Sequence, residues 1–234
     1  MKCSVGVESL KGTKHKLNED RYRMLGKDIP AVRDQDRGEL FGVFDGIGSA
    51  PKGRQAAQEM ADIMLQFYLS PDDYEISPNG VSRMLMKGNK RIFDWGVMEG
   101  RDAPLGGCAG TIVWINGDTL YSFHAGDTLA IHVRDGSSSQ ITRSHQASDG
   151  AIFRYFGLGP TLEIESNSVT LEDLDRILLV SDGITKVMHP KEAVAIIEES
   201  YDISLATKTL AHRAQNLGSS DDITVMLIEV EESD

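Results

Sequence analysis

The sequence has few cysteines, few aromatic residues and no long hydrophobic run. Its 2 cysteines, Cys3 and Cys108, lie far apart and form no CxxC pair, which argues against a disulfide framework and against a thiolate zinc site. No segment approaches the roughly 18 consecutive apolar residues of a membrane span. The first residues, MKCSVGVESLKG, are too polar for a secretory signal. We therefore expect a cytoplasmic protein.

Positive charge is also scarce. The chain has 36 acidic and 24 basic residues, a formal net charge of −12 at pH 7. Such a surface repels phosphate backbones and anionic lipid headgroups, so neither nucleic acid nor a membrane is an expected partner.

The chain contains no tandem repeat and no long linker, which predicts a single domain over residues 1–234. Apolar residues at helical spacing predict helices over 57–67 and 81–95, the second starting at Ser77-Pro78. Asn116-Gly117 and Asp135-Gly136 each separate two segments of period-two pattern, which is typical of hairpins and predicts an antiparallel meander. Further helices are predicted near 191–199 and 203–217. Strands are predicted at 3–8, 20–25, 40–44, 111–115, 120–123, 129–133, 140–142, 162–169, 176–180 and 223–230.

These elements predict an α+β protein in which two packed antiparallel sheets have helices on both outer faces, because that arrangement buries every apolar stripe.

Carboxylates recur where the apolar strands end. The strand at 40–44 is followed by Asp45-Gly46, that at 176–180 by Ser181-Asp182-Gly183, and Asp221-Asp222 precedes the last strand. No basic residue stands directly beside Asp45 or Asp182 in the sequence. A half-buried carboxylate is costly unless it is paired or binds a metal. If the strand ends converge, these carboxylates form a cation site.

The ligand types indicate which cation. An all-oxygen set suits Mg²⁺, Mn²⁺ or Ca²⁺, whereas zinc usually brings His or Cys. The 6 histidines show no HExxH spacing, and the sequence has no EF-hand loop, GxxxxGK[ST] loop or GxSxG motif.

Seven segments in order resemble the metal-dependent 2C-type serine/threonine protein phosphatases in their compact bacterial form. They span nearly the whole chain and are Asn18-Glu19-Asp20, Phe44-Asp45-Gly46-Ile47-Gly48, Gly106-Gly107-Cys108-Ala109-Gly110-Thr111, Ala125-Gly126-Asp127-Thr128, Gly157-Leu158-Gly159, Val180-Ser181-Asp182-Gly183-Ile184-Thr185 and Ser220-Asp221-Asp222-Ile223-Thr224-Val225. The resemblance implies a four-layer α-β-β-α sandwich with a two-metal site at one end of its sheets.

The resemblance also implies roles for individual residues. Asp45 would bridge two Mn²⁺ or Mg²⁺ ions and Gly46 would add a carbonyl ligand. Asp182 and Asp221 would bind one ion, so Asp45, Asp182 and Asp221 are the expected catalytic set. Glu19 and Asp20 would hold water around the other ion. Asp127, with Asp182, matches the place where some relatives bind a third metal ion, and whether this chain binds one stays open. Asp222 is expected to be structural or to hold the metal ligands in place.

Four departures from the family pattern bear on the substrate. Many relatives have a phosphate-binding Arg where this chain has His15, flanked by Lys14 and Lys16; these three are the candidate phosphate ligands, and a plain solvated basic patch is the alternative. Ile47 replaces a His that some relatives use as a general acid. The segment 145–157 is short, which predicts an open site. Leu129 replaces an Arg that often follows the Gly-Asp motif.

The implied activity is hydrolysis of phosphoserine and phosphothreonine in proteins by a metal-activated bridging water. It implies a phosphoprotein substrate and a cognate serine/threonine kinase, and we expect a monomer. A catalytically inactive regulatory module, a nucleic-acid phosphoesterase and a phosphatase of small phosphomonoesters remain alternatives.

Overall fold

Two antiparallel five-stranded sheets form the centre of the protein, in the residues that this computed structural model describes, 1–101 and 104–232. The first sheet contains, in spatial order, β1 (Lys2–Leu10), β10 (Ile223–Glu231), β9 (Arg176–Val180), β6 (Leu129–Arg134) and β7 (Ser137–Gln140). The second contains β2 (Arg21–Leu25), β3 (Glu39–Gly46), β4 (Cys108–Asn116), β5 (Thr119–Ala125) and β8 (Glu165–Thr170). The predicted pair of antiparallel sheets is confirmed.

Helices cover the outer face of each sheet. Against the second sheet pack α2 (Gly53–Ile63) and α4 (Pro78–Met98); against the first pack α6 (Pro190–Glu198) and α7 (Ile203–Asn216). Shorter helices are α1 (Pro30–Gln35), α3 (Gln66–Leu69), α5 (Asp182–Thr185) and a 3₁₀ turn at Pro71–Asp73. The predicted α-β-β-α order of layers is therefore confirmed. The sequence analysis did not predict α1 or α5.

Alternating side chains explain the four layers. Along β3, Leu40 and Phe44 face the helices, whereas Phe41 and Val43 pack in the layer between the two sheets. The same alternation holds in β9, whose buried residues divide between the inter-sheet layer and the α6/α7 side. Since successive strand residues point to opposite faces, a strand that is apolar throughout must be covered on both sides.

The predicted meander is wrong, because β5 and β6 belong to different sheets. The chain crosses between the sheets at Gly126, whose backbone has φ of +122° and lies so close to Ala109 that an added Cβ would sit 2.3 Å from the Ala109 Cβ. Only glycine fits such a crossing. The region is thus two separate hairpins, β4–β5 and β6–β7.

Several strand limits differ from the predictions by up to three residues, and β7 and β8 are two examples. The strand predicted at 140–142 lies at Ser137–Gln140, because the two-residue turn at Asp135-Gly136 pairs Arg134 directly with Ser137. Both turn residues have positive φ, as the tight hairpin turn requires. The strand predicted at 162–169 begins only at Glu165.

Helix α4 starts as predicted. Ser77 is its N-cap, with the side-chain oxygen accepting the backbone N–H of Gly80 at 3.2 Å, and Pro78 is its first residue. Within the described residues, no helix has both the length and the apolar character that crossing a bilayer requires.

Candidate metal centre

The predicted carboxylates meet at one end of the two sheets, around a cavity of about 870 Å³. Asp45, Asp127, Asp182 and Asp221 line this cavity. They meet because the carboxyl ends of β3, β5 and β9 and the start of β10 all lie at that end. Asp45 is the last residue but one of β3, Asp127 lies two residues after β5, and Asp182 is the first residue of α5, which follows β9.

Asp20 lies at the boundary of the two sheets. Its Oδ2 accepts the Ser181 hydroxyl at 2.7 Å, and the carboxyl group is fully buried. Burial is the main cause that raises the pKa of Asp20 to about 7. The charges of Asp222 and Asp182 raise it further, whereas hydrogen bonds from Ser181 and Thr224 oppose the shift. A buried acid of this kind loses its proton easily only when a cation is near.

Four buried carboxylate oxygens have no hydrogen-bond partner among the residues that the structure describes: Oε2 of Glu19 and the Oδ1 atoms of Asp20, Asp127 and Asp182. Buried polar atoms without partners are rare and usually indicate a bound ion or water. Oxygen donors with no cysteine among them suit Mn²⁺ or Mg²⁺. The residues present therefore fit the divalent cations that the sequence predicted.

Repulsion between the carboxylates is evident in their pKa values. Burial and the like charges of Asp20 and Asp182 raise the pKa of Asp45 well above the ordinary range. Burial and the charge of Asp182 raise the pKa of Asp127 to about 6, although Lys186 opposes the shift. Without bound cations this group of acids would hold protons near neutral pH.

Asp221 differs from the others, because two lysines contact it. Its Oδ2 lies 2.7 Å from the Lys186 ammonium and 3.1 Å from that of Lys14. Burial favours a higher pKa, but the hydrogen bonds and charges of these lysines outweigh it and lower the pKa of Asp221. Lys186 also pairs with Asp182. No basic residue is adjacent to Asp182 in the sequence, but Lys186, four residues later, is its partner in the fold.

Gly46 and Asp222 affect the backbone around the site in different ways: Gly46 allows a close approach of two segments, and Asp222 fixes a third segment by hydrogen bonds. An added Cβ at Gly46 would lie 2.6 Å from the carbonyl carbon of Gly53, so the chain can pass there only as glycine. Asp222 accepts backbone N–H groups from Gly12 at 2.7 Å and from Glu19 at 2.8 Å. Asp222 therefore fixes the segment that carries Glu19 and Asp20, in the structural role expected of it.

The three predicted phosphate ligands are placed differently. Lys14 and His15 line the cavity, whereas Lys16 is exposed and is not part of its wall. His15 Nδ1 lies 3.4 Å from Asp222 and 3.8 Å from both Glu19 and Asp221. His15, Asp221 and Asp222 can also bring one ligand atom each within 4.8 Å of one another. His15 is thus placed among acids at the edge of the site.

The short 145–157 segment forms one wall of the cavity, through Gln146, Ile152 and Tyr155. Gln146 donates from Nε2 to Asp127 Oδ2 at 3.2 Å. His145 Nδ1 accepts the backbone N–H of Gly126 at 3.1 Å, and the backbone N–H of His145 donates to the Gly126 carbonyl at 2.7 Å. The segment therefore holds the backbone that carries Asp127.

Comparison with known proteins agrees with this geometry. The sequence model of the family described as Protein phosphatase 2C matches residues 14–218. The chain belongs to the protein phosphatase 2C family. A curated relative in this family, Probable protein phosphatase 2C 11 of Arabidopsis thaliana, is 25% identical over all of this chain and 68% of its own length.

Solved structures of serine/threonine phosphatases share the fold. The Mycobacterium tuberculosis serine/threonine phosphatase PstP/Ppp superposes with a TM-score of 0.82 at 20% identity, over 99% of this chain and 100% of that one. The catalytic domain of the serine/threonine protein phosphatase PstP in complex with 2 manganese ions gives 0.81 at 21% identity, over 98% and 99%.

Sequence reasoning missed Lys186, Ser181 and Gln146 as parts of the site. Lys186 could not be found without α5, because side chains at i and i+4 meet on a helix and the helix that starts at Asp182 was not predicted. Ser181 and Gln146 act across long sequence separations, and no local pattern indicated them.

Proposed function

We propose that this protein phosphatase 2C family member hydrolyses phosphoserine and phosphothreonine in proteins at a site for two Mn²⁺ or Mg²⁺ ions. The observation that carries the proposal is the set of four unpartnered buried oxygens, on Glu19, Asp20, Asp127 and Asp182, at the sheet edge. Family membership and the 2 manganese ions in the PstP complex support the same chemistry.

Each proposed ligand has a place in this scheme. Asp45 would be a ligand shared by the two ions, and the Gly46 carbonyl would be a further ligand. Asp182 and Asp221 would hold one ion, and Glu19 and Asp20 would hold water around the other. When bound, such a metal pair lowers the pKa of a water molecule and neutralises charge that develops on a phosphoryl group. Ile47 has no ionisable group, so the leaving-group oxygen must receive its proton from water or from another residue.

Lys14 and His15 are the proposed phosphate contacts, because they line the cavity next to Asp221. Lys186 is held between Asp182 and Asp221 and completes the positive side of the site. The cavity, at about 870 Å³, is much larger than one phosphate group needs, which favours a phosphorylated peptide segment as substrate. A kinase that makes such phosphoproteins is the implied counterpart, and the two free cysteines favour the cytoplasm.

The test is hydrolysis of para-nitrophenyl phosphate and of a phosphothreonine peptide with Mn²⁺, with Mg²⁺ and with EDTA. We expect metal-dependent turnover that Asp45→Asn and Asp182→Asn each reduce by at least about a hundredfold, since each removes a charged ligand. Asp94→Asn is the matched control, because Asp94 lies on α4, outside the cavity, and pairs with Lys90 at 2.7 Å. Mn²⁺ binding without turnover of either substrate would favour the regulatory-module alternative.

A further inference from the structure

Lys186 places its ammonium group among the proposed metal ligands. The backbone N–H of Lys186 donates to the Asp182 carbonyl at 2.9 Å, one helical turn after α5 begins. The side chain then folds back onto Asp182, and its Nζ is 2.7 Å from Asp221 Oδ2. This lysine therefore bridges two carboxylates from different elements, one at the start of α5 and one just before β10.

The same ammonium group lies at the corner of the site that contains Asp127. Lys186, Asp127 and Asp182 together line both the main cavity and a smaller adjoining cavity of about 320 Å³. Asp127 and Asp182 are each more than nine-tenths buried, and each has one oxygen without a protein partner. This corner thus has two unpartnered acidic oxygens and one fixed positive charge.

A tethered ammonium and a divalent cation compete for the same place. Both need carboxylate oxygens at this corner, where the ammonium already contacts Asp182, and two positive charges a few ångströms apart repel each other strongly inside a protein. The lysine is covalently attached, so it occupies the corner at any metal concentration. The charge of Lys186 also opposes the rise in the pKa of Asp127, as an ion there would do.

We propose that the Lys186 ammonium takes the place of a third metal ion at the Asp127 corner, so that the protein binds two Mn²⁺ ions and not three. The inference about Lys186 rests on the proposed two-metal function, and it makes Lys186 a positioning residue. It answers the question that the sequence left open about a third ion.

Metal counting by equilibrium dialysis tests the proposal independently of catalysis. We expect two Mn²⁺ per chain for the wild type and three for Lys186→Asp, because that substitution replaces a competing cation with a further oxygen ligand. Lys90→Asp is the control on α4 and should bind two. Three ions on the wild type, or two on Lys186→Asp, would overturn the inference while leaving the phosphatase proposal intact.

Lys186→Gln gives a second test that needs no new ligand. Removing the ammonium should tighten Mn²⁺ binding on the order of tenfold, because the ions no longer compete with a positive charge. In metal-free buffer the same variant should melt below the wild type, since three carboxylates lose their counter-charge. Unchanged affinity together with an unchanged melt would contradict the proposal. Absence of Mn²⁺ binding by the wild type would instead refute the two-metal function, and this inference with it.

Discussion

The hydroxyl of Ser181 donates a 2.7 Å hydrogen bond to Oδ2 of Asp20 at the junction of the two sheets. Ser181 follows β9 of the first sheet, and Asp20 precedes β2 of the second. The same Ser181 oxygen accepts the backbone N–H of Thr224 in β10 at 2.8 Å. One buried side chain therefore connects both sheets and orients a proposed metal ligand.

Ser181→Ala should lower the free energy of unfolding by about 1–3 kcal/mol, because it leaves the buried N–H of Thr224 without a partner. It should also raise the pKa of Asp20 further, since the hydroxyl stabilises the charged form. Urea denaturation in metal-free buffer measures the first effect. Ser204→Ala, at an exposed position of α7, is the control and should change stability by less than about 0.5 kcal/mol. Equal stability of the two variants would contradict the role assigned to Ser181.

The metal-free protein should lose stability as the pH rises from about 4 to about 7. The folded-state pKa values of Asp20 and Asp127, about 7 and about 6, lie above the ordinary value near 4, so the folded state binds more protons than the unfolded state in this window. Melting curves in chelator-treated buffer from pH 4 to pH 8 measure the slope. Asp20→Asn should flatten this slope. A stability that increased over this pH range would show that the pKa values of these acids are not raised.

Saturating Mn²⁺ should reverse that slope and raise the melting temperature, because the cation binds the ionised carboxylates of the folded protein only. Mass action predicts about 4 kcal/mol at a free metal concentration a thousand times the Kd. Calorimetry with Mn²⁺ and with EDTA compares the two states. Asp45→Asn should abolish most of the difference, whereas Asp94→Asn should retain it. An EDTA-insensitive melt of the wild type would count against the site.

Local signals were sufficient to predict most elements of this fold. The Asp135-Gly136 turn forms a hairpin because both residues tolerate positive φ, and Ser77 caps α4 because its oxygen reaches the N–H of Gly80. The change of sheet at Gly126 could not be predicted in this way. It depends on the close approach of Ala109, which only the folded backbone makes evident.

The site shows the same division between local and long-range information. Asp45, Asp182 and Asp221 could be found because each stands at the end of a strongly apolar strand. Lys186 was missed because its effect depends on a short helix that begins at Asp182 itself. Its second contact, with Asp221, joins residues 35 positions apart in the sequence.

Away from the metal centre, Asp175 should be a major determinant of stability. Its carboxylate is fully buried, and it accepts Arg134 Nε at 2.6 Å and the Glu172 N–H at 2.9 Å. Asp175→Ala should cost about 2–4 kcal/mol in the free energy of unfolding, without changing Mn²⁺ affinity. Asp173→Ala, at a nearby exposed residue, is the control, and we expect it to lower the free energy of unfolding by less than about 0.5 kcal/mol.

The contribution of the Asp175–Arg134 ion pair to stability has the opposite pH dependence to that of the metal-site acids. Burial favours a higher pKa, but the hydrogen bonds from Arg134 and Glu172 outweigh it and lower the pKa of Asp175. Its contribution to stability is therefore complete above pH 4 or so and is lost as the pH falls below that value. Comparing Asp175→Ala with the wild type at pH 3 and pH 6 should show a smaller difference at pH 3.

Lys14 and Lys16 allow a matched test of phosphate binding, because they stand two positions apart and only Lys14 lines the cavity. Lys14→Gln should raise the inhibition constant of inorganic phosphate about fivefold at saturating Mn²⁺, the effect of losing one partly exposed ion pair of about 1 kcal/mol. Lys16→Gln should leave the constant unchanged. His15→Ala should weaken phosphate binding as well, because it removes the imidazole that we propose as a phosphate contact. A larger effect from Lys16→Gln than from Lys14→Gln would place the phosphate outside the cavity described above and overturn the assignment.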